Sequence, residues 1–365
     1  MEHDAADLPL SSAGPLRAAQ VAARRRRVHG HTWMWVGGGI VFALVAVLVG
    51  ISVGPLSIGV GAIVESAASH LPLLGIHSHL SSADSGVVWQ IRAPRVVLGF
   101  LVGAMLACAG GTYQGVFRNP LVDPYLLGVA AGAGLGATLM IVYADQSSGG
   151  NLLPVGAFVG GSVAVVIAYS VGRVSRGAAA FALAGVTVTA FLTAIQTFVQ
   201  QQHSDTLEAV YSWILGSLTT AGWHDVLMLL PYAAVSATVL LLHRRVLDVM
   251  ALGDEEAAAL GVNVGRTRLV LVFAATLGTA AAVSVSGLIG FLGIIVPHFV
   301  RLVAGGSYRV VLPLSLLVGG GFLVLCDVLA RTVMSPRELP IGVVTAFFGA
   351  PFFAVVLRTS RTVGP

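Results

Sequence analysis

Residues 92–137 read RAPRVVLGFLVGAMLACAGGTYQGVFRNPLVDPYLLGVAAGAGLGA. Between Arg95 and Arg118 no side chain is charged, and the apolar run matches the roughly 20 residues a helix needs to cross a hydrocarbon core. Gly99, Gly103, Ala107 and Gly111 recur every four residues, so small side chains line one helical face and a second backbone can approach closely. That face is predicted to pack against protein. The helix ends at Gln114, after which Pro120 and Pro124 interrupt regular structure and Asn119 caps or turns. A second apolar run follows at once. Span, structured turn and span together predict an all-α chain embedded in a membrane.

The rest of the sequence repeats this pattern. Of its 365 residues 56% are hydrophobic and 10% charged, where a soluble domain carries about a quarter charged. Mean hydropathy is +0.90. Ten spans are predicted, at roughly 33–53, 93–115, 125–143, 153–171, 179–200, 223–243, 269–287, 288–303, 310–330 and 339–357. The seventh and eighth are the least clearly divided, because GLIGFLGIIVPHFVR (287–301) has almost no polar break and Pro297 either kinks one element or begins another. The run Trp33–Val53 is too long for the h-region of a secretory signal. Residues 1–30 read as a disordered cytosolic tail, and 31–365 as one transmembrane domain.

Net charge is +4, but the arginines stand singly or in pairs between apolar runs, which argues for the lipid bilayer as partner and against nucleic acid. All 20 basic residues are Arg, so a P-loop lysine, a Schiff-base lysine and a lysine general base are excluded. Arg24–Arg27 place the N-terminus in the cytosol by the positive-inside rule, and an even span count returns the C-terminus there. Sixteen of the 20 arginines then fall on the cytosolic side; Arg92, Arg95, Arg331 and Arg337 do not. Pro94 fixes the turn between Arg92 and Arg95, which is expected to present both guanidinium groups outward. Cys108 and Cys326 lie inside spans, giving neither a disulfide nor a metal site. His70, His77 and His79 lack accompanying cysteines or paired carboxylates, so a solvated loop is preferred to a metal site and no cofactor is expected.

Polar side chains at bilayer depth mark faces turned away from lipid. Thr189, Thr193, Gln196, Thr197 and Gln200 share one helical stripe that borders either a translocation path or a neighbouring helix. Gly342, Thr345 and Gly349 form a second such face, suited to the same path or to a subunit boundary. Between spans, Asp248–Arg268 is the longest cytosolic connection. Asp254, Glu255 and Glu256 favour the first turn of a short helix, the run to Leu260 favours its body, and Gly261 stops it. It serves as a connector or as a docking element for a soluble partner.

The opening stretch, together with WILGS (213–217), ALGDEEAAALGVNVGR (251–266), GLIGFLGIIVPHFVR and ELPIGVVTAFFGAPFF (338–353), strongly resembles the iron-chelate and vitamin B12 importer permeases of the ABC transporters, the FecCD family. The resemblance implies a ten-helix type II importer permease in the bacterial inner membrane. It also implies a homodimer around a central pore, two cytosolic ABC ATPases and an external substrate-binding protein. Matched residue by residue, Arg92, Arg95 and Arg331 correspond to arginines that dock the binding protein, and Asp254 to Gly261 to the helix seated in the ATPase. Ser175 corresponds to the cytosolic gate, although RVSRG places Arg176 where a small polar residue is expected. Gln114, Asn119, Pro120, Pro297, Gly342 and Gly349 are structural motif positions. A ferric siderophore or haem is the expected cargo, with a corrinoid as the alternative. A secondary transporter would need mid-membrane ionisable residues that the chain scarcely has. A membrane enzyme would need clustered histidines, but His203, His224, His243 and His298 lie on separate segments.

Overall fold

In lipid every backbone N–H and C=O needs a partner within the protein, and this chain meets that demand with helices. The computed structural model describes residues 15–54, 58–69, 79–144, 152–172 and 178–360. Helix α1 (Pro15–Ser52) is followed by α2 (Val60–Ser69) and α3 (Ser82–Gly86), which runs through a π-turn, Val87–Arg92, into α4 (Ala93–Val116). A 3-10 turn, Pro124–Leu127, leads to α5 (Val129–Tyr143), then α6 (Leu152–Gly172), α7 (Ala178–Gln202), α8 (Leu207–Ile214) and α9 (Trp223–Leu242). Short helices α10 (Arg244–Met250) and α11 (Asp254–Ala259) precede α12 (Val264–Ser286), α13 (Leu292–Ala304), α14 (Tyr308–Thr332) and α15 (Ile341–Ser360).

Helix α4 is the axis of the bundle, packed by α14, α12, α13 and α9. Its glycines explain the position. A methyl group on Gly103 would strike the Gly319 carbonyl of α14, and one on Gly110 would strike the backbone of Gly293 in α13, so both crossings are backbone to backbone. The predicted packing face is thus observed. Gly132 against Gly160 and Gly136 against Gly156 join α5 to α6 in the same manner. The outer helices α1, α7 and α9 leave most of their surface uncovered, as lipid-facing or partner-facing helices do.

Seven of the described helices are long and apolar enough to cross a membrane. Three of the ten predicted spans are instead shorter apolar helices: Val129–Tyr143, Leu292–Ala304 and Ile341–Val356. At about 1.5 Å per residue, α5 and α13 fall short of a ~30 Å hydrocarbon core. Each starts inside the bundle, at the fully buried Val129 or Leu292. The division between the seventh and eighth spans falls at 287–291, where Gly287 (φ 68) and Phe291 (φ 69) break the helix; Pro297 lies inside α13 and is not the boundary. The first helix reaches back to Pro15, through half of the stretch read as a disordered tail; residues 1–14 lie outside the described residues.

Candidate functional site

One end of the bundle carries a buried charge cluster. Arg95 is forked between two carboxylates: its Nε and Nη2 donate to Asp327 at 3.0 and 2.8 Å, and its Nη1 and Nη2 donate to Glu338 at 3.0 and 2.8 Å. The Thr219 hydroxyl donates to the same Glu338 at 3.0 Å. That hydrogen bond from Arg95 is the main reason the Glu338 carboxyl is held below its usual range. Arg92 donates to the carbonyls of Ile51 and Ser52, and Arg331 to that of Gly50, so two guanidinium groups satisfy the last carbonyls of α1. Arg331 Nε also lies 3.6 Å from Asp327. Three arginines against two acids leave one excess positive charge, placed at the negative end of the α1 dipole.

This overturns the expectation that Arg92 and Arg95 point outward. Arg92, Arg95 and Arg331 are all buried, at 4%, 9% and 7% exposure. A guanidinium in a low-dielectric interior is retained only with partners, and α14, the 333–340 loop and the end of α1 supply them. Asp327 stands four residues before Arg331 on α14, yet its hydrogen bonds go to Arg95, 232 residues away in sequence.

Beside this cluster three of the sequence motifs meet. Ile341 N–H donates to the Gly216 carbonyl at 3.2 Å, Gly342 N–H to Leu215 at 3.1 Å and Ser217 N–H to Ser286 at 2.9 Å. The WILGS turn, the break after α12 and the start of α15 therefore close one another's open backbone groups. A methyl on Gly342 would sit 2.5 Å from the Leu215 carbonyl, which explains why glycine stands there. Thr345 is buried and donates to Gly342 O, and Gly349 abuts Phe291. At these three positions the face packs within the subunit.

Nearer the opposite end, Gln114 Nε2 donates to the Gly293 carbonyl at 2.8 Å and its Oε1 accepts from Arg301 at 2.5 Å. Asn119 Oδ1 accepts from Leu121 N–H at 3.0 Å, the predicted turn, with Pro120 exposed after it. Tyr125 hydroxyl both donates to Ile289 O and accepts from Ile289 N–H, each at 3.0 Å. Pro297 packs on Gly111. These motif residues therefore hold the non-helical segments 117–128 and 287–291 against each other.

The same end carries α11. Asp254 pairs with Arg268 at 2.9 Å and lies 3.5 Å from Arg118. After α11, Val262 N–H donates to Ala257 O and Gly261 N–H to Ala258 O, the double closure of a left-handed C-cap, with Gly261 at φ 84. Glu255, Glu256, Leu252 and Leu260 are exposed, both leucines at 65%. An acidic knob with two bare leucines is a surface shaped for protein contact.

The α7 stripe divides. Gln196 is buried and donates to Thr138 of α5 at 3.1 Å, so it serves helix packing. Thr193 and Thr197 are exposed, and Thr189 and Gln200 half-buried. Ser175, like His70 and His77, lies outside the described residues; His79 hydrogen-bonds Glu65. No cluster of metal-ligating side chains occurs among the described residues, and Cys108 and Cys326 are free and buried.

The FecCD transport family matches residues 42–359. The cobalamin import system permease of Halobacterium salinarum is 42% identical over 274 residues, covering 74% of this chain and 73% of that one. The Fe(3+)-citrate import system permease YfmE of Bacillus subtilis is 35% identical over 320 residues, covering 87% and 94%. Among solved structures, an inward-facing ABC transporter of metal-chelate type superposes with a TM-score of 0.78 at 28% identity, over 89% of this chain and 98% of that one.

Proposed function

The chain belongs to the FecCD transport family, and from that membership we propose that it is the permease of an ATP-binding-cassette importer bringing a ferric siderophore or haem across the bacterial inner membrane into the cytosol. Permeases of this family are pore subunits without an ATPase site, and a separate subunit hydrolyses ATP. In this reading the chain crosses the membrane ten times, α5 and α13 doing so together with the turns before them, both termini are cytosolic, and two copies enclose the pore. The Asp254 end faces the cytosol and the Arg92 end faces outward. Thr193 and Thr197 of α7 border the path, and Ser175 stands at its cytosolic gate.

The observation that carries this reading is the family match over residues 42–359, combined with the α11 knob at one end. Leu252 and Leu260 would seat in a cytosolic ATPase, two copies per dimer, and Gly261 would hold the knob in shape. A corrinoid is the second reading, favoured by the 42% identity to the haloarchaeal cobalamin permease against 35% to the iron-citrate one. Co-purification with the cognate ATPase tests the coupling surface. Leu260→Asp should abolish recovery of the ATPase while the permease remains in the membrane; undiminished recovery would contradict the assignment. Identifying the ligand that the cognate binding protein retains decides between iron chelate and corrinoid.

A further inference from the structure

At the α11 end a cavity of about 230 Å³ opens between the end of α4, the end of α10, α13 and the start of α14. It is smaller than the roughly 300–1,000 Å³ pockets that enclose drug-sized ligands, so it suits a small polar group. Gln114, Arg118, Asn119, Arg301 and Tyr308 supply its polar lining, and no carboxylate lines it. Arg301 is half-buried and held from two sides. Its Nη1 donates to Gln114 Oε1 at 2.5 Å, and its guanidinium carbon lies 5.6 Å from the centre of the Tyr308 ring. Gln114 is itself fixed by donating to the Gly293 carbonyl. Both partners are neutral, and among the described residues Arg301 forms no ion pair. Two acids at this end are engaged elsewhere: Asp248 accepts from Ser307 Oγ and Tyr308 N–H and pairs with Arg309, and Asp254 pairs with Arg268 at 2.9 Å.

Arg118 lines the same cavity from a backbone conformation that favours glycine. Asn119 N–H donates to Gln114 O at 3.1 Å and Arg118 N–H to Gly115 O at 3.3 Å, the double closure of a left-handed C-cap, with Arg118 at φ 51. Glycine takes that position without strain and arginine does not, so the side chain needs a reason to be there. The cap gives none. The Arg118 guanidinium has Asp254 at 3.5 Å, a carboxylate that Arg268 already holds more closely. The next residue adds a donor, because Asn119 Oδ1 accepts from Leu121 N–H and its Nδ2 is left to donate.

We propose that this cavity binds a phosphate group, with Arg301 and Arg118 as its cations and Asn119 Nδ2 as a further donor. The lining brings two positive charges and no negative one, which a dianion balances. Guanidinium forks match phosphate oxygens two at a time, and Arg301 is already set in place by Gln114 and Tyr308. The bound anion ties the 117–128 turn to α13. It comes either from free phosphate or from the headgroup of an anionic lipid. The site stands on this geometry and not on the importer reading.

Two experimental arms on the full-length chain separate these sources. In nanodiscs of phosphatidylcholine alone, binding of labelled inorganic phosphate is measured by equilibrium dialysis. In detergent without free phosphate, the phosphatidylglycerol retained through purification is quantified by mass spectrometry. Arg301→Gln and Arg118→Gly should each weaken the binding at least about tenfold, because each removes charge-assisted hydrogen bonds to the anion. Arg118→Gly also relieves the left-handed strain, so its unfolding midpoint without phosphate should not fall, and lost binding is then not lost fold. It decides alone if Arg301→Gln does not fold. Arg309→Gln, at an exposed arginine of the same end outside the cavity, should bind as wild type does. Phosphate binding that the cavity variants lose establishes the site with a free anion as ligand; phosphatidylglycerol retention that they lose establishes it with a lipid headgroup. Neither ligand bound by the wild type, or undiminished binding in a folded cavity variant, overturns the proposal. So does an equal loss in Arg309→Gln, which marks a diffuse basic surface.

Discussion

Removing one carboxylate from the buried cluster should be far more damaging than removing the exposed arginine beside it. Asp327 is 2% exposed and accepts from Arg95 Nε at 3.0 and 3.1 Å and from Arg95 Nη2 at 2.8 Å, while lying 3.6 Å from Arg331. Asp327→Asn preserves the shape and deletes the charge. Arg95 keeps Glu338, so the loss falls on Arg331, whose buried Nε makes no hydrogen bond and has Asp327 as its ion-pair partner. Breaking a buried pair from one side costs about 3–5 kcal/mol, because the surviving ion is left uncompensated in a poor solvent. That is a shift of roughly 150- to 4,000-fold in the folding equilibrium, at about 1.4 kcal/mol per decade. Arg337→Ala removes an exposed, unpaired charge and should change stability by no more than about 0.5 kcal/mol. Equilibrium unfolding in mixed detergent micelles, followed by tryptophan fluorescence, measures both. A loss below about 1 kcal/mol for Asp327→Asn, or an equal loss for Arg337→Ala, would refute the reasoning.

Gly261→Val forces a β-branched residue to φ 84, a strain of about 1–2 kcal/mol. It should distort the α11 cap and uncouple the partner's ATP hydrolysis from transport, whereas normal coupling would show that the cap is only a connector. Cysteines at Thr193 and Thr197 should react with small water-soluble thiol reagents in membranes, but one at the buried Gln196 should not, against a silent background from buried Cys108 and Cys326. Equal reaction at Phe191 would remove the case for a polar path. The lowered Glu338 carboxyl sets the pH window of the loop clasp. Its contribution is complete above the usual glutamate value of about 4.3 and is lost as pH falls through the lowered folded-state value. Unfolding stability should therefore not change through this group between pH 5 and pH 8; a transition near neutrality would assign the control to another group.

Sequence alone revealed the all-α membrane class, because a hydrocarbon solvent leaves its mark on composition and run length. It also revealed the Gly99–Gly103 packing face and the left-handed stop at Gly261, since both follow from the absence of a Cβ. What it missed came from long-range geometry. Arg92, Arg95 and Arg331 read as outward charges because their partners are carbonyls of α1 and acids far along the chain, and neither leaves a local pattern. Gln196 shares the period of its stripe, but its rotation toward Thr138 depends on where α5 packs. The short α5 and α13 looked like full spans because the residues just before them, 124–128 and 287–291, are apolar and mostly covered by the bundle. Glu338 was within a recognised motif string, yet nothing in its neighbours announced Arg95.

This chain should move cargo only when a separate ATPase drives it. Reconstituted into liposomes with the cognate ATPase and internal ATP, and supplied outside with loaded binding protein, it should accumulate a labelled ferric chelate or haem, or else a corrinoid. Without the ATPase it should accumulate none and hydrolyse no ATP. Accumulation by the chain alone, driven by a pH gradient or a membrane potential, would contradict the account and mark it as a secondary transporter.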